Sequence, residues 1–329
     1  MYKLELIVIK EIYMQQDMQY VYELYKEGNF SKAAAKLFIS QPALSMAIQK
    51  TEASIGMPLF DRSTRPMRLT PAGEIYIDAI KKTLNLEQDL SQQLDDIRSL
   101  KTGNISLGGT NYINSYILPD ILFGFNREYP ELKINLKEGS AYQMQNMLKE
   151  RSIDLSISCN PNIIVNFKGF QLFTDHLLVA VPKHIPVPDE VSQCTLSAAD
   201  IINKKHLSPK YPSVSISIFR NLDFILLEEG NNLYDRSMKI FENAGFSPSV
   251  KIQLSQLVTA QHLAESGFAT TFISDRLIKN NNSNLNYFKL EDKESLRTFY
   301  ILSHPDRYIS NAVSAFIKYI QNYFGIIPL

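Results

Sequence analysis

Ser31-Lys32-Ala33-Ala34-Ala35-Lys36-Leu37-Phe38-Ile39-Ser40-Gln41-Pro42-Ala43-Leu44-Ser45 decides how the first part of this chain folds. The stretch reads as two helical runs around an apolar turn, Phe38-Ile39. Ser31 is a side-chain cap for the first run, which ends at Leu37. Ser40 caps the second, and Pro42 falls in its first turn, where a missing N–H costs little. That second helix continues through Leu44, Ile48 and Ile55 to Gly56, a natural stop. Upstream, Met18, Val21, Leu24 and Tyr25 recur at helical spacing until Gly28-Asn29. The layout is that of a helix-turn-helix. The second helix presents Gln41, Ser45 and Gln49 from its N-terminal part, where polar side chains can reach base edges in a major groove. Helix-start N–H groups can meanwhile hold a phosphate. Lys32, Lys36, Lys50, Arg62, Arg65 and Arg68 face only Glu52 and Asp61 between residues 31 and 70, a local positive excess that suits DNA. An ordinary three-helix module with a solvated polar face would share the same layout.

Downstream, two short extended pieces of Leu59–Leu69 flank a polar tip at Thr64, Arg65 and Pro66, a hairpin signal. Thr70-Pro71 opens another helix, and no glycine or proline follows Gly73 until Gly103. A helix from Pro71 to Ser99 would run about 43 Å. Ile77, Ile80, Leu84, Leu94 and Ile97 make a stripe close to a heptad seam, interrupted by Glu87. Such a stripe either packs back on its own domain or meets a second copy; the spacing favours a dimer seam.

After Lys101-Thr-Gly-Asn104 short strand-like runs alternate with helical ones. Strands are predicted at 105–108, 133–137, 155–158, 177–181, 224–227, 250–253, 269–273 and 298–303. Helices are predicted at about 115–129, 142–151, 233–244, 256–266 and 310–324. The alternation predicts an α/β fold with a largely parallel sheet and helical crossovers.

With 329 residues, 45% of them hydrophobic, the chain has material for two or three domains, and disorder is not expected. Thirty-four basic residues balance 34 acidic ones, so local clusters must decide any nucleic-acid binding. Cys159 and Cys194 have no metal-ligand spacing and are too few for a disulfide framework, which fits a reducing cytosol. No apolar run reaches the roughly 18 residues of a membrane span. The short apolar patch before Lys10 has charged Glu5 and Glu11 about it and no cleavage site, so no signal peptide is expected. The class expected is a cytoplasmic protein without a membrane partner.

His176, His184, His206, His262 and His304 show no metal spacing, and no nucleophile elbow, dinucleotide fingerprint or P-loop occurs. Catalytic residues, metal ions and cofactors are therefore not expected. Cys159, at a strand end, reads as a small buried thiol rather than a redox sensor.

Ala33-Ala34-x-x-Leu37-x-Ile39-Ser40-Gln41-Pro42-Ala43-Leu44-Ser45-x-x-Ile48, followed by Glu52, Gly56, Leu59-Phe60-x-Arg62 and Leu69-Thr70-x-Ala72-Gly73, closely resembles the N-terminal domain of LysR-type transcriptional regulators. A looser likeness to the family's effector domain runs through Leu118-Pro119, Phe125-x-x-x-Tyr129-Pro130, Asp154-Leu155, Val181-Pro182, Ala244-Gly245-Phe246 and Ala264-x-x-Gly267. The resemblance implies an N-terminal winged helix-turn-helix, a long dimerising linker helix, and two α/β subdomains of periplasmic-binding-protein-like type around a ligand cleft. It implies no catalysis. The boundaries that follow are a leader at 1–17, a DNA-binding domain at 18–70, a linker at 71–102 and an effector domain at 103–329. Within the last, one subdomain would hold about 103–178 and 284–329, the other about 179–283. Met14 would be the more usual start.

Carried over residue by residue, Ser40–Ile55 would be the recognition helix. Ser40, Gln41, Pro42, Ser45 and Gln49 would lie nearest the groove, Ser31, Lys32 and Lys50 nearest phosphates, and Arg65 and Arg68 in the wing. The chain departs from the family pattern at Met46-Ala47, where a basic or glutamine residue is frequent, at Gln49, where a basic residue is common, and at Thr51, where an apolar one is usual. Double-stranded DNA, a second copy of the chain and, by family expectation, a tetramer are the partners implied.

A cleft for a small anionic effector needs helix-start N–H groups and hydroxyl or amide side chains where strands end. Thr110-Asn111-Tyr112 follows the first strand of the α/β part; Ser158 and Asn160 end the strand at Leu155; Asn231 precedes the Leu233 helix; Ser255 is placed to cap the Gln256 helix; Thr271 lies beside Phe272. The function expected is an effector-sensing regulator of transcription. The competing reading is a cytosolic small-molecule receptor whose helical head contacts proteins.

Overall fold

The computed structural model describes residues 16–64, 66–98, 103–281 and 283–326. They fall into two compact units divided between Arg98 and Ser99. The leader call, apart from Gln16 and Asp17, and the wing residue Arg65 lie outside the described residues. Among those described, no helix is long and apolar enough to cross a membrane.

The first unit packs α1 (Gln16–Glu27), α2 (Phe30–Lys36) and α3 (Gln41–Ile55) around Val21, Leu24, Ala33, Ala34, Leu44 and Ile48. Asn29, not Ser31, caps α2: its side chain accepts the Lys32 N–H, which starts the helix one residue earlier and leaves Ser31 within the first turn. Ser40 does cap α3, accepting the Ala43 N–H, and Gly56 closes it at φ +77°, a left-handed conformation that glycine adopts without a Cβ penalty. Thr51, polar where the family is usually apolar, is buried and satisfied by donating to the Ala47 carbonyl. In the apolar turn, Ile39 packs against the core while Phe38 is 95% exposed at φ +56°.

The hairpin forms as β1 (Phe60–Asp61) and β2 (Arg68–Leu69), antiparallel. Glu52 anchors it, taking the Leu59 N–H at 2.8 Å and Arg62 at 2.8 Å. Thr70 then starts α4 (Pro71–Arg98): its hydroxyl reaches the Pro58 carbonyl at 2.6 Å and accepts the Gly73 N–H.

The stripe on α4 is really two faces. Ile77 and Ile80 are buried in the core of the first unit, with Leu84 against it. They are thus removed from the proposed dimer seam, because they already fill the space beside α1 and the hairpin. A separate face runs through Ile75, Leu86, Leu90, Leu94 and Ile97, all exposed. At 100° per residue these five fall within one 100° arc, roughly opposite Ile77 and Leu84.

The second unit is built on β3 (Gly103–Gly109), β4 (Leu132–Glu138), β5 (Leu155–Ser158), β6 (Lys168–Pro182), β7 (Asp223–Leu227), β8 (Ser249–Leu254), β9 (Thr270–Ser274), β10 (Leu285–Lys289) and β11 (Leu296–Ser303). Hydrogen bonding gives the order β4-β3-β5-β11-β6-β9-β7-β8, with β10 also on β6. The sheet is mixed rather than largely parallel. The outer strands pair in parallel, but β6, β10 and β11 run antiparallel to their neighbours. They can do so because β10 and β11 return the chain without a helical crossover.

β6 is the pivot of this unit. Its residues Lys168–His176 pair with β11 in one half, and Leu177–Pro182 pair with β9 and β10 in the other. β10 pairs with the second stretch of β6, and β11, which begins at Leu296, with the first. Helices α5 (Leu118–Glu128), α6 (Ala141–Lys149), α7 (Pro161–Ile164) and α11 (Asn311–Tyr323) follow strands of the first half, and α8 (Ala198–Ile202), α9 (Asn232–Asn243) and α10 (Leu257–Glu265) belong to the second. A large core of buried residues, including Phe125, Val179, Phe224, Phe272 and Phe316, spans the unit, with a smaller cluster around Met144, Leu148 and Leu302.

Candidate functional site

Two surfaces carry chemistry, one in each unit. On α3, Leu44 and Ile48 are held in the core, which turns Gln41, Pro42, Met46, Gln49 and Lys50 outward and leaves Ser45 half-buried. The N-cap at Ser40 spends that hydroxyl on the helix itself. Ser31 and Lys32, in the first turn of α2, are exposed, as is Arg68 on β2. Lys36 is drawn away by Glu27 at 2.6 Å and Glu23 at 3.5 Å. Arg62 is spent on Glu52 and lies over the Phe30 ring. Among the described residues the positive excess counted from the sequence is therefore concentrated in Lys32, Lys50 and Arg68. Phe38 and Met46 add exposed apolar surface on the turn and on α3, which the polar pattern alone did not single out.

In the second unit a cleft of about 460 Å³ opens where strands end and helices begin, a size typical of small-ligand pockets. Thr110, Asn111, Tyr112, Ser158, Asn160, Asn231 and Ser255 all line it. They come together because β3, β5, β7 and β8 end on the same side, where open α/β sheets place ligands. Thr271 does not reach it: the residue is buried within β9 and donates to the Ile225 carbonyl at 3.0 Å. Ser255 lines the cleft without capping α10; Gln256 occupies the cap position and makes no side-chain bond there. Asn160 and Asn231 do cap their helices, accepting the Asn162 and Leu233 N–H groups at 3.0 and 2.9 Å. Asn111 donates to Glu138 at 3.3 Å.

The Tyr112 hydroxyl is committed to buried partners. It donates to Asp175 at 3.0 Å and lies 2.9 Å from Ser274. Asp175, fully buried, also takes Ser274 at 2.7 Å and a two-point contact from Arg297, whose Nε is 2.8 Å from Oδ1. Burial raises the Tyr112 hydroxyl well above its ordinary pKa, and the Asp175 carboxylate adds to this, so the phenol stays a donor. Arg297 lines the cleft floor. Neither Asp175 nor Arg297 was picked from the sequence: each lies just before a strand as predicted, at 177–181 and 298–303. Glu138, Ser140, Gln143, Glu228 and Glu229 were likewise missed as lining residues. Cys159 lines the cleft beside Asn232, its Sγ 3.2 Å from that amide oxygen. Burial pushes its thiol pKa up against the pull of Arg297, which disfavours the reactive thiolate.

Residues 15–74 match the model of the bacterial regulatory helix-turn-helix proteins of the lysR family, and residues 98–325 match that of the LysR substrate binding domain. The chain is 28% identical over 304 residues to the uncharacterised HTH-type transcriptional regulator YcgK of Bacillus subtilis, covering 92% of each. Its fold is similar to that of full-length CbnR complexed with its target DNA, at a TM-score of 0.59 and 15% identity, over 94% of this chain and 99% of that one. It is also similar to the effector binding domain of QuiR in complex with shikimate, at a TM-score of 0.54 and 16% identity, over 68% of this chain and 98% of that one.

Proposed function

The chain belongs to the LysR family of bacterial transcriptional regulators, and from that premise we propose that it reads duplex DNA as a cytoplasmic dimer and answers to a small carboxylate held in the cleft. It is a regulator without catalytic chemistry in this reading. The observation that carries the DNA half is the outward row of Gln41, Gln49 and Lys50 on a helix locked in place by Leu44 and Ile48. Amides there suit base edges, and Lys32, Lys50 and Arg68 suit phosphates. The test is binding to duplex DNA from the region upstream of its own gene. Log K should fall linearly with log salt by several phosphates' worth. Gln49→Ala should reorder preference among site variants by about 1–3 kcal/mol at one base pair. A flat salt response would favour a receptor whose helical head contacts protein.

The effector reading rests on the helical turn that opens at Asn111 ahead of α5 and on the start of α10 at Leu257, with Thr110 and Ser255 beside them and Arg297 in the lining. Glu138, Glu228 and Glu229 on the same cleft call for hydrogen-bond donors at the ligand's other end. The ligand class is therefore a carboxylate that also carries hydroxyl or ammonium groups; the shikimate bound to the similar QuiR domain is consistent with it. Thr110→Val should weaken the thermal shift given by such ligands while leaving DNA affinity intact. An unchanged shift would remove Thr110 from the site.

Dimerisation is assigned to the exposed face of α4. Leu86→Asp combined with Leu90→Asp should yield monomers in sedimentation while the fold persists, because neither side chain serves the core of its own unit. A dimer that survives would place the interface elsewhere. Pairing of two such dimers into a tetramer is the further family expectation.

A further inference from the structure

His176, His206 and Asp275 lie apart in sequence and show no metal spacing, yet the fold brings their ligating atoms within 4.8 Å of one another. His176 sits on β6 where that strand changes partners, paired with Leu296 of β11 and followed by Leu177, which pairs with Ser274 of β9. Asp275 comes directly after β9, and His206 is in the short helical turn Lys205–Leu207. The geometry points to a transition-metal site of two imidazoles and one carboxylate at this crossing, separate from the effector cleft, with zinc as the matching ion.

Asp275 Oδ2 lies 2.9 Å from His206 Nε2 and 3.5 Å from His176 Nδ1. Ligands held at about 2.0–2.1 Å around a tetrahedral zinc stand about 3.4 Å apart, so small side-chain rotations would admit an ion. A plain hydrogen-bonded triad explains the contact of His206 but leaves His176 Nδ1 buried and without a hydrogen bond. The second carboxylate oxygen is already fixed by the His176 backbone N–H at 3.1 Å, which aims Oδ2 between the two rings. That is the orienting role outer partners play at metal centres. The rings meet edge to face, 83° apart with centroids at 5.7 Å, a separation that two ligands of one ion can keep.

The surroundings favour a cation. Neighbouring Arg276 turns its guanidinium onto Phe173, 4.4 Å from the ring centroid, rather than onto Asp275. Arg297 is held by Asp175. His206 and Asp275 are largely buried while His176 is 27% exposed, so the cluster lies close to the surface. Imidazole donors select zinc and its transition-metal neighbours over magnesium or calcium. An ion there would tie β6, at its point of crossing, to the second subdomain.

The test uses the full, untagged chain stripped with a chelator. Zinc alone should bind once per chain and raise the melting temperature, with magnesium at equal concentration giving no shift. Cobalt should give a visible absorption band. His176→Ala, at the exposed member, should lower zinc affinity at least about tenfold and abolish the cobalt band with the circular dichroism unchanged; His206→Gln should do the same. Absence of stoichiometric zinc binding would overturn the site, as would binding that His176→Ala leaves untouched, which would put the ion elsewhere. Neither result bears on DNA or effector binding.

Discussion

Asp175→Ala is expected to lower the unfolding free energy by about 3–5 kcal/mol, the usual cost of stranding one member of a buried ion pair. Arg297, 4% exposed, would keep its charge and lose its counter-ion. Tyr112 and Ser274 would lose the acceptor that now takes both hydroxyls. Part of the guanidinium surface would still lie over the Tyr112 and Phe299 rings, at 5.6 and 5.2 Å, which is too weak an interaction to compensate. Urea titration of the full chain measures the loss. Asp175→Leu together with Arg297→Met should recover most of it, since an apolar pair leaves no unpaired charge. A single substitution that costs less than about 1 kcal/mol would mean that the pair is solvated and not the floor described.

Gly73→Ala should be nearly as damaging in the first unit. A Cβ at residue 73 would sit 2.0 Å from the Leu59 carbonyl oxygen, a backbone atom with no rotamer to yield. Neither side can retreat cheaply. The Gly73 N–H is bound to the Thr70 hydroxyl at 3.0 Å, the Thr70 N–H to that same Leu59 carbonyl at 3.0 Å, and the Leu59 N–H to Glu52. Prising the start of β1 from α4 would break this set and expose Leu59 and Phe60. Overpacking alone costs about 1–3 kcal/mol, occasionally more, and the broken bonds add to it. Loss of DNA affinity with effector binding retained is the expected outcome. A variant with wild-type DNA affinity and melting behaviour would show that the hairpin has slack the distances deny.

The helix-turn-helix was legible because its signals are local: Ser40 and Pro42 start a helix, Gly56 stops it, and Leu44 and Ile48 fix its inner face within one element. The cleft was legible for a different reason. Strand ends that feed helix starts converge by topology, so Thr110, Ser158, Asn231 and Ser255 could be named without knowing their distances. Thr271 failed because it lies inside its strand rather than at its end. The Asp175–Arg297 contact joins residues 122 positions apart, and spacing carries no information over such separations. The same holds for His176, His206 and Asp275. On α4, periodicity showed which residues share a side but not what each side meets. Ile77 and Ile80 therefore passed for an intermolecular seam when they fill the hydrophobic centre of their own unit. The first half of β6 was overlooked because Lys168–His176 mixes charged and apolar residues, which make sense only with β11 known to lie beside it.

The continuity of β6 has a consequence for turnover of the protein. One strand supplies ladder partners to both halves of the effector unit and one buried core spans them, so melting either half would strip the other of apolar neighbours. A degradative enzyme pulling on this unit would meet a single all-or-none barrier rather than two smaller ones in succession.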